Sequence, residues 1–115
     1  MISKRILDQT WRLKWYQTLD STNSEASRSL NNDSDQPAWF AAKEQTSGRG
    51  RSGRTWVSME GNLFASLRLP VSAAPSELSV LALVVGLAVR DALVTMSHGM
   101  LSPGLKWPND VRIDG

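Results

Sequence analysis

The chain contains no cysteine and only one histidine, His98, among its 115 residues. Without thiols it has no disulfide framework, no thiolate nucleophile and no cysteine zinc site. A single imidazole cannot build a histidine metal cluster, and a Ser–His–Asp triad would depend on His98 alone. Since His98 falls near the end of a predicted helix, a structural or solvated role is expected for it. These absences argue against enzymes that work through a cysteine or a cluster of histidines.

Long apolar runs are equally scarce, and the net charge is only +2. The most apolar uncharged stretch, residues 78–89, is well short of the roughly 20 residues that a membrane-spanning helix needs. No apolar run follows residues 1–5, so a signal peptide is not expected. Hydrophobic residues make up 41% of the chain and charged residues 21%, which is ordinary for a globular domain. The composition therefore predicts a cytoplasmic protein with no membrane partner.

Hydrophobic periodicity predicts helices alternating with strands. Helices are predicted over residues 2–13, 23–30 and 76–97. Strands are predicted over residues 14–19, 38–42, 62–69 and 105–113, the last interrupted by Pro108. A capping box at Thr22 and Glu25 would begin the second helix. The strand at residues 62–69 is expected to bury Leu63, Ala65, Leu67 and Leu69. The helix at residues 76–97 is expected to bury Leu78, Leu81, Val85, Ala88, Val89 and Ala92. Residues 45–54 include no apolar residue, which predicts a mobile or ligand-ordered loop.

The segment with the clearest chemical character is Gly-Arg-Gly-Arg-Ser-Gly-Arg-Thr-Trp at residues 48–56. Its glycines let the backbone approach a ligand, and Arg49, Arg51 and Arg54 supply planar donors suited to phosphate and carboxylate oxygens. The spacing superficially matches a dinucleotide fingerprint and a Walker A loop, but both need a helix directly after the glycines. A strand is predicted there instead. The segment predicts an anion site, with an Arg/Gly nucleic-acid-binding module as the alternative.

Three motifs follow one another along the chain: DSTNS at residues 20–24, AKEQTSGRGR at 42–51 and LKWPNDV at 105–111. Together, in this order, they resemble the biotin–protein ligase family over roughly residues 14–115. The resemblance implies an α+β fold with a mixed, largely antiparallel sheet flanked by helices, like the catalytic fold of class II aminoacyl-tRNA synthetases and biotin ligases. A lipoate–protein ligase is a second alternative with a related fold, although the repeated Gly-Arg pattern argues against it.

The resemblance also implies the site residues. The biotin pocket would include Ser21, Thr22, Asn23, Gln45, Arg49, Gly50 and Arg51. The nucleotide and its phosphates would contact Arg51, Arg54, Trp56, Lys106, Asn109 and Asp110. Arg49, Arg51 and Arg54 would be catalytic through their charge, and Asp110 could face a phosphate-bound Mg²⁺, with no direct metal ligand assigned. Structural alternatives stay open: Thr22 as a helix cap, Trp56 as a buried side chain, and residues 108–110 as a turn. Trp107 is expected in the core.

The implied reaction has two steps. Biotin and ATP, with Mg²⁺, would give biotinyl-5′-adenylate, and the biotinyl group would then pass to a lysine of the biotin carboxyl carrier protein of acetyl-CoA carboxylase. No protein nucleophile is needed, which suits a chain without cysteine. A homodimer is an open alternative. No DNA partner is expected, because the ligase motifs begin almost at once and leave no room for a winged-helix region.

By the same resemblance, residues 1–115 correspond to the N-terminal portion of a catalytic domain, without a C-terminal SH3-like domain. Asp114-Gly115 is a hairpin-turn signal with no return strand after it. The family's next lysine, a glycine-rich strand and the remaining sheet would lie beyond this point. The 115 residues alone are therefore expected to be inactive or nearly so. Ser52 stands where the family often has a basic residue, and this change is expected to be tolerated.

Overall fold

A computed structural model describes residues 11–31 and 36–114. The chain divides into two compact units, Met1–Ser72 and Ala73–Gly115. Most of the helix predicted over residues 2–13 lies outside the described residues. Its last two positions, Arg12 and Leu13, belong to a strand instead, so the helix prediction is wrong there.

The first unit is built around a three-stranded mixed sheet. In chain order it contains β1 (Arg12–Leu19), α1 (Thr22–Arg28), a 3₁₀ turn (Ser29–Asn31), β2 (Ala38–Gln45), β3 (Gly48–Arg49), a 3₁₀ turn (Arg51–Gly53), β4 (Thr55–Trp56) and β5 (Phe64–Arg68). The sheet order is β1-β2-β5, with β1 parallel and β5 antiparallel to the central β2. The predicted α+β class and mixed sheet are therefore confirmed.

The core of the first unit lies between α1 and one face of the sheet. Phe40 is fully buried and packs with Ala26 of α1 and Ala38 of β2. On β5 the buried residues are Phe64 and Arg68. They are four positions apart in a strand, so their side chains lie on the same face.

The prediction that Leu63, Ala65, Leu67 and Leu69 form the buried face of this strand is wrong. Leu63 is 76% exposed and Ala65 is also exposed. Strict alternation identifies two faces of a strand but cannot tell which one a helix will cover. Here α1 covers the face that carries the phenylalanine, a serine and an arginine.

Arg68 closes the far end of this core with its guanidinium group. Its Nη1 donates to the Ser29 carbonyl oxygen at 3.0 Å and to Ser29 Oγ at 2.8 Å, and its Nη2 donates to the Gln36 carbonyl at 3.1 Å. The guanidinium also lies 5.8 Å from the centre of the Phe40 ring. Arg68 therefore joins the last residues of α1 to the start of β2.

The second unit consists of one long helix and a hairpin. α2 (Pro75–Met96) confirms the helix predicted over residues 76–97, and β6 (Gly104–Lys106) pairs antiparallel with β7 (Asp110–Arg112). The strand predicted over residues 105–113 with an interruption at Pro108 is in fact two strands of a hairpin, because the chain reverses at residues 107–109. Pro108 follows a cis peptide bond in this turn.

The predicted inner face of α2 is also wrong within this unit. The residues expected inside are at least partly exposed, with Val85 at 56% and Val89 at 43%. The half-buried residues include Leu81, as expected, but the others belong to a neighbouring stripe of Leu83, Gly86, Arg90 and Leu93, with Val94 beside it. Arg90 Nε donates to the Pro103 carbonyl at 3.2 Å, which ties this stripe to the chain entering β6.

By length and composition alone, α2 could cross a membrane. This is weak evidence, since the core helix of a soluble domain can meet the same criteria. The expectation that no run is long enough to cross a membrane rested on the uncharged residues 78–89. The helix is longer than this run because it continues through Arg90 and Asp91.

Replacing Arg68 with alanine is expected to destabilise the protein by about 2–4 kcal/mol, because the Ser29 and Gln36 carbonyls would lose a charged donor inside the fold. Urea unfolding monitored by circular dichroism measures this loss. Arg112→Ala removes an exposed arginine and serves as the control, with a change within about 0.5 kcal/mol. Equal effects of the two substitutions would contradict the role assigned to Arg68.

Candidate functional site

The first part of the site is the N-terminus of α1. Ser21 has an extended backbone (φ −159°) and its hydroxyl accepts a hydrogen bond from the Ser24 amide at 3.3 Å. Ser21 is thus the N-cap, and the predicted capping box at Thr22 and Glu25 is wrong by one residue. Ser21 and Thr22 are both buried, at 3% and 4% exposure. Two hydroxyl groups therefore lie inside the fold where the helix begins.

Asp20 fixes the chain as it enters this helix. Its carboxylate accepts from Arg28 Nη2 at 2.7 Å and Nη1 at 2.9 Å, and from the Ser21 amide at 2.8 Å. The hydrogen bonds from Arg28, and to a smaller extent the one from Ser21, hold the pKa of Asp20 well below its usual range. They also raise the pKa of Arg28, which bonds Glu25 as well. The positive charge of Arg28 is therefore already compensated within the unit.

Gln45, at the end of β2, meets the helix N-terminus. Its Oε1 accepts from the Thr22 backbone amide at 2.8 Å and from Thr22 Oγ1 at 3.1 Å. The Gln45 backbone N–H donates to Ser58 Oγ at 3.0 Å. The structure thus brings together Ser21, Thr22 and Gln45, which the sequence placed in one pocket.

One member of this cluster was missed. Thr22 Oγ1 lies 2.9 Å from Ser66 Oγ, on the face of β5 that α1 covers. A serine between two buried residues, Phe64 and Arg68, could have drawn attention. A polar side chain on a buried strand face usually has a hydrogen-bond partner.

Residues 48–56 form a short hairpin, which overlaps the mobile or ligand-ordered loop predicted over residues 45–54. β3 pairs antiparallel with β4, and the Gly50 amide donates to the Arg54 carbonyl at 2.6 Å. Ser52 and Gly53 turn the chain with positive φ angles of 58° and 72°. Cross-strand backbone pairing gives this segment regular structure although it has little apolar surface to bury.

The three arginines of this hairpin differ in their contacts. Arg49 Nη2 donates to Ser24 Oγ at 2.9 Å, which ties the hairpin to the first turn of α1. Arg51 and Arg54 are exposed, and neither forms an ion pair with another described residue. The hairpin therefore presents uncompensated positive charge beside the hydroxyl cluster, which consists of Ser21, Thr22 and Ser66. This arrangement can attract an anion.

Of the other predicted residues in the first unit, Asn23 is exposed on the first turn of α1. Trp56 is 57% exposed, so the alternative of a buried structural tryptophan is wrong. A Cβ built on Gly50 would lie 3.6 Å from Trp56 Cε3, so the ring packs against the hairpin backbone. Gly50 itself has room for a methyl group at ordinary contact distance.

Of the residues predicted to contact the nucleotide, Arg51, Arg54 and Trp56 belong to the first unit, whereas the other three lie together in the second unit. Lys106, Asn109 and Asp110 are exposed and line a groove of about 210 Å³, whose other walls include Leu83 and Gly86 of α2. Trp107 is 73% exposed, so the prediction that it belongs to the core is wrong. Trp107 instead lines the same groove. No cluster of three or more metal-ligating side chains occurs in residues 11–31 and 36–114.

Comparison with known proteins identifies the class. The model of the biotin/lipoate A/B protein ligase family matches residues 15–115. The biotin–[acetyl-CoA-carboxylase] ligase of Paracoccus denitrificans is 40% identical over 96 residues, covering 84% of this chain and 40% of the relative. The chain belongs to the biotin/lipoate A/B protein ligase family.

Solved structures of biotin protein ligases share the fold. The Leishmania major enzyme in complex with biotinyl-5-AMP matches 90% of this chain and 47% of its own, with a TM-score of 0.78 and 27% identity. The Aquifex aeolicus enzyme in complex with biotin and ATP matches 87% and 40%, with a TM-score of 0.68 and 38% identity. The chain thus spans less than half the length of these relatives and corresponds to the first part of the catalytic domain.

The pH dependence of stability should reveal the Asp20–Arg28 contact. A lowered pKa in the folded state means that the contribution of Asp20 is complete above the ordinary carboxyl pKa of about 4 and is lost progressively below it. Asp20→Asn should therefore destabilise the protein at pH 7, and the difference from wild type should narrow toward pH 3. Unfolding by urea at several pH values measures this.

Glu60→Gln is the control, because that carboxylate lies 3.7 Å from Lys43 on an 86% exposed side chain. Its effect should be small across the same pH range. A difference for Asp20→Asn that stays constant from pH 7 to pH 3 would refute the proposed contribution.

Gly48 tests the packing of the hairpin. A Cβ at this position would lie 2.7 Å from the Trp56 carbonyl oxygen, which is held in the β3–β4 ladder. Gly48→Ala is therefore expected to cost about 1–3 kcal/mol in urea unfolding and to increase proteolysis within residues 48–56. Gly104→Ala, where a Cβ meets nothing within 4 Å, should have little effect. A harmless Gly48→Ala would mean that the hairpin is not packed as described.

Proposed function

We propose that the protein is a biotin–protein ligase, which activates biotin with ATP and transfers the biotinyl group to a lysine of a carrier protein. The observation that carries the proposal is the hairpin of Arg49, Arg51 and Arg54 beside the buried cluster of Thr22 and Gln45. A polar pocket next to uncompensated arginines suits a neutral ring system that bears a carboxylate. The complexes of related enzymes with biotin and ATP or biotinyl-5-AMP support this choice.

In the first step a biotin carboxylate oxygen attacks the α-phosphorus of ATP. The new P–O bond replaces the bond to the β-phosphate, so pyrophosphate leaves and biotinyl-5′-adenylate remains. Two negatively charged groups must come within bonding distance, and the arginine charge of the hairpin lowers their repulsion. Arg49 lies nearest the hydroxyl cluster and would meet the biotin carboxylate, whereas Arg51 and Arg54 would meet the phosphates.

In the second step a lysine amine of the carrier protein attacks the acyl carbon of the mixed anhydride. The acyl–oxygen bond breaks, AMP leaves, and the amine gives up a proton as the amide forms. No side chain of the ligase needs to become acylated. Catalysis would then come from holding the reactants in place and from charge stabilisation. The biotin carboxyl carrier protein of acetyl-CoA carboxylase is the proposed acceptor, in keeping with the name of the Paracoccus relative.

The groove of the second unit is the proposed nucleotide site. Asn109 offers both a donor and an acceptor to an adenine edge, Lys106 supplies a positive charge, and Asp110 could contact the Mg²⁺ that accompanies ATP. All three side chains are exposed and available to a ligand. Activity is proposed for the protein with a complete catalytic domain, to which these 115 residues would contribute the first part.

Arg51→Ala in the natural protein tests the proposed function. Biotin-dependent release of pyrophosphate from ATP should fall by at least about a hundredfold, since a charge at the reacting phosphate would be lost. The fold should persist, because the Arg51 side chain is exposed and unpaired among the described residues. Arg112→Ala, also exposed, is the matched control and should retain activity.

Pyrophosphate release at the wild-type rate from Arg51→Ala would refute the role of this arginine. Calorimetry with biotin distinguishes the ligase from the nucleic-acid alternative. A nucleic-acid module would bind an oligonucleotide with an affinity that falls steeply with salt and would ignore biotin. A ligase would bind biotin with little dependence on salt.

A further inference from the structure

The orientation of the Gln45 side-chain amide follows from its contacts. The atom 2.8 Å from the Thr22 backbone nitrogen must be an acceptor, because a backbone N–H can only donate. That atom is therefore Oε1, and Nε2 carries the two hydrogens on the other side of the group. A Cβ built on Gly48 would lie 3.1 Å from Nε2, so these N–H donors lie next to the hairpin.

The hydrogen-bond directions in the rest of the cluster follow by counting hydrogens. Thr22 Oγ1 donates to Gln45 Oε1 at 3.1 Å, because the amide oxygen can only accept. The single hydroxyl hydrogen of Thr22 is thus used on Gln45. At the 2.9 Å contact between Thr22 Oγ1 and Ser66 Oγ, Ser66 must therefore be the donor. The chain of donation runs from Ser66 to Thr22 to Gln45.

We propose that Ser66 is a positioning residue of the biotin site, acting through Thr22 to hold the Gln45 amide with its N–H donors toward the ligand. The inference builds on the proposed function and adds to it a residue that would not itself touch biotin. With Ser66 in place, Thr22 Oγ1 is fixed between two partners and Gln45 Oε1 accepts two hydrogen bonds. The site then offers donors and selects a ligand atom that accepts, such as an oxygen of biotin.

Removal of the Ser66 hydroxyl would free the Thr22 side chain. Its oxygen, on a residue that is 4% exposed, would lose its donor, and rotation about the Cα–Cβ bond would take the hydroxyl away from Gln45. Gln45 would then be held through its side chain by the Thr22 backbone amide alone. Binding of an acceptor group should weaken because the donors would be less well fixed before the ligand arrives.

The test uses two variants of equal shape in the natural protein, Ser66→Thr and Ser66→Val, which differ by one hydroxyl group. A strand position accommodates either β-branched residue. By calorimetry, the valine variant should bind biotin about threefold to tenfold more weakly than the threonine variant, the range expected for one hydrogen bond. In the pyrophosphate assay, KM for biotin should differ between the two variants by the same factor, whereas kcat and KM for ATP should be unchanged.

A double-mutant cycle separates positioning from a general loss of stability. In a Thr22→Val background the hydrogen bonds from Ser66 to Thr22 and from Thr22 Oγ1 to Gln45 are already absent. The Ser66 threonine and valine variants should then bind biotin equally. A persistent difference in that background, or equal affinities of the two variants in the wild-type background, would overturn the proposal. If the unsubstituted protein binds no biotin, the proposed function itself fails. Biotin binding with no effect of the Ser66 hydroxyl would refute this inference alone.

Discussion

The hydrogen bonds between Gln45 and Thr22 are the contact on which the first unit's site depends. β1 and β2 run parallel with α1 in the connection between them, so the N-terminus of the helix and the end of β2 lie at one edge of the sheet. Thr46 and Ser47 continue the pairing, with amides that donate to the carbonyls of Leu19 and Asp20 at 2.8 and 2.7 Å. This backbone pairing brings Gln45 to the first turn of α1, although 23 positions separate it from Thr22 in the chain.

The arginines of the first unit differ in whether their charge is compensated by neighbouring groups. Arg28 is neutralised by Asp20 and Glu25, and Arg68 is enclosed among carbonyl groups at the other end of α1. Both arginines serve the fold. Arg51 and Arg54 have no such acidic partner within residues 11–31 and 36–114, so their charge remains available. A fold that pairs its structural arginines and leaves two on an exposed hairpin is suited to a ligand that brings its own negative charge.

The sequence predicted the elements better than it predicted their faces. β1, β2 and α2 were recognised from apolar periodicity, and the cluster of Thr22 with Gln45 from the resemblance of the motifs. The buried faces of β5 and α2 were assigned wrongly, because both have apolar residues on more than one side. Large apolar groups such as Leu13 and Trp15 remain 68% and 59% exposed on the sheet. Periodicity reports where apolar residues recur, whereas burial depends on which neighbour covers them.

Ser66 and the hairpin show a second limit, which concerns hydrogen bonds. A serine has no sequence signal that names its partner, and the contact to Thr22 spans 44 positions of the chain. The Gly-Arg segment has no apolar pattern and is predicted as a loop, yet its first two residues pair with Thr55 and Trp56 in a hairpin. In both cases the decisive interactions join polar groups across long separations. Composition and spacing identified the chemical groups of the site, but three-dimensional pairing determines which donors remain available for a ligand.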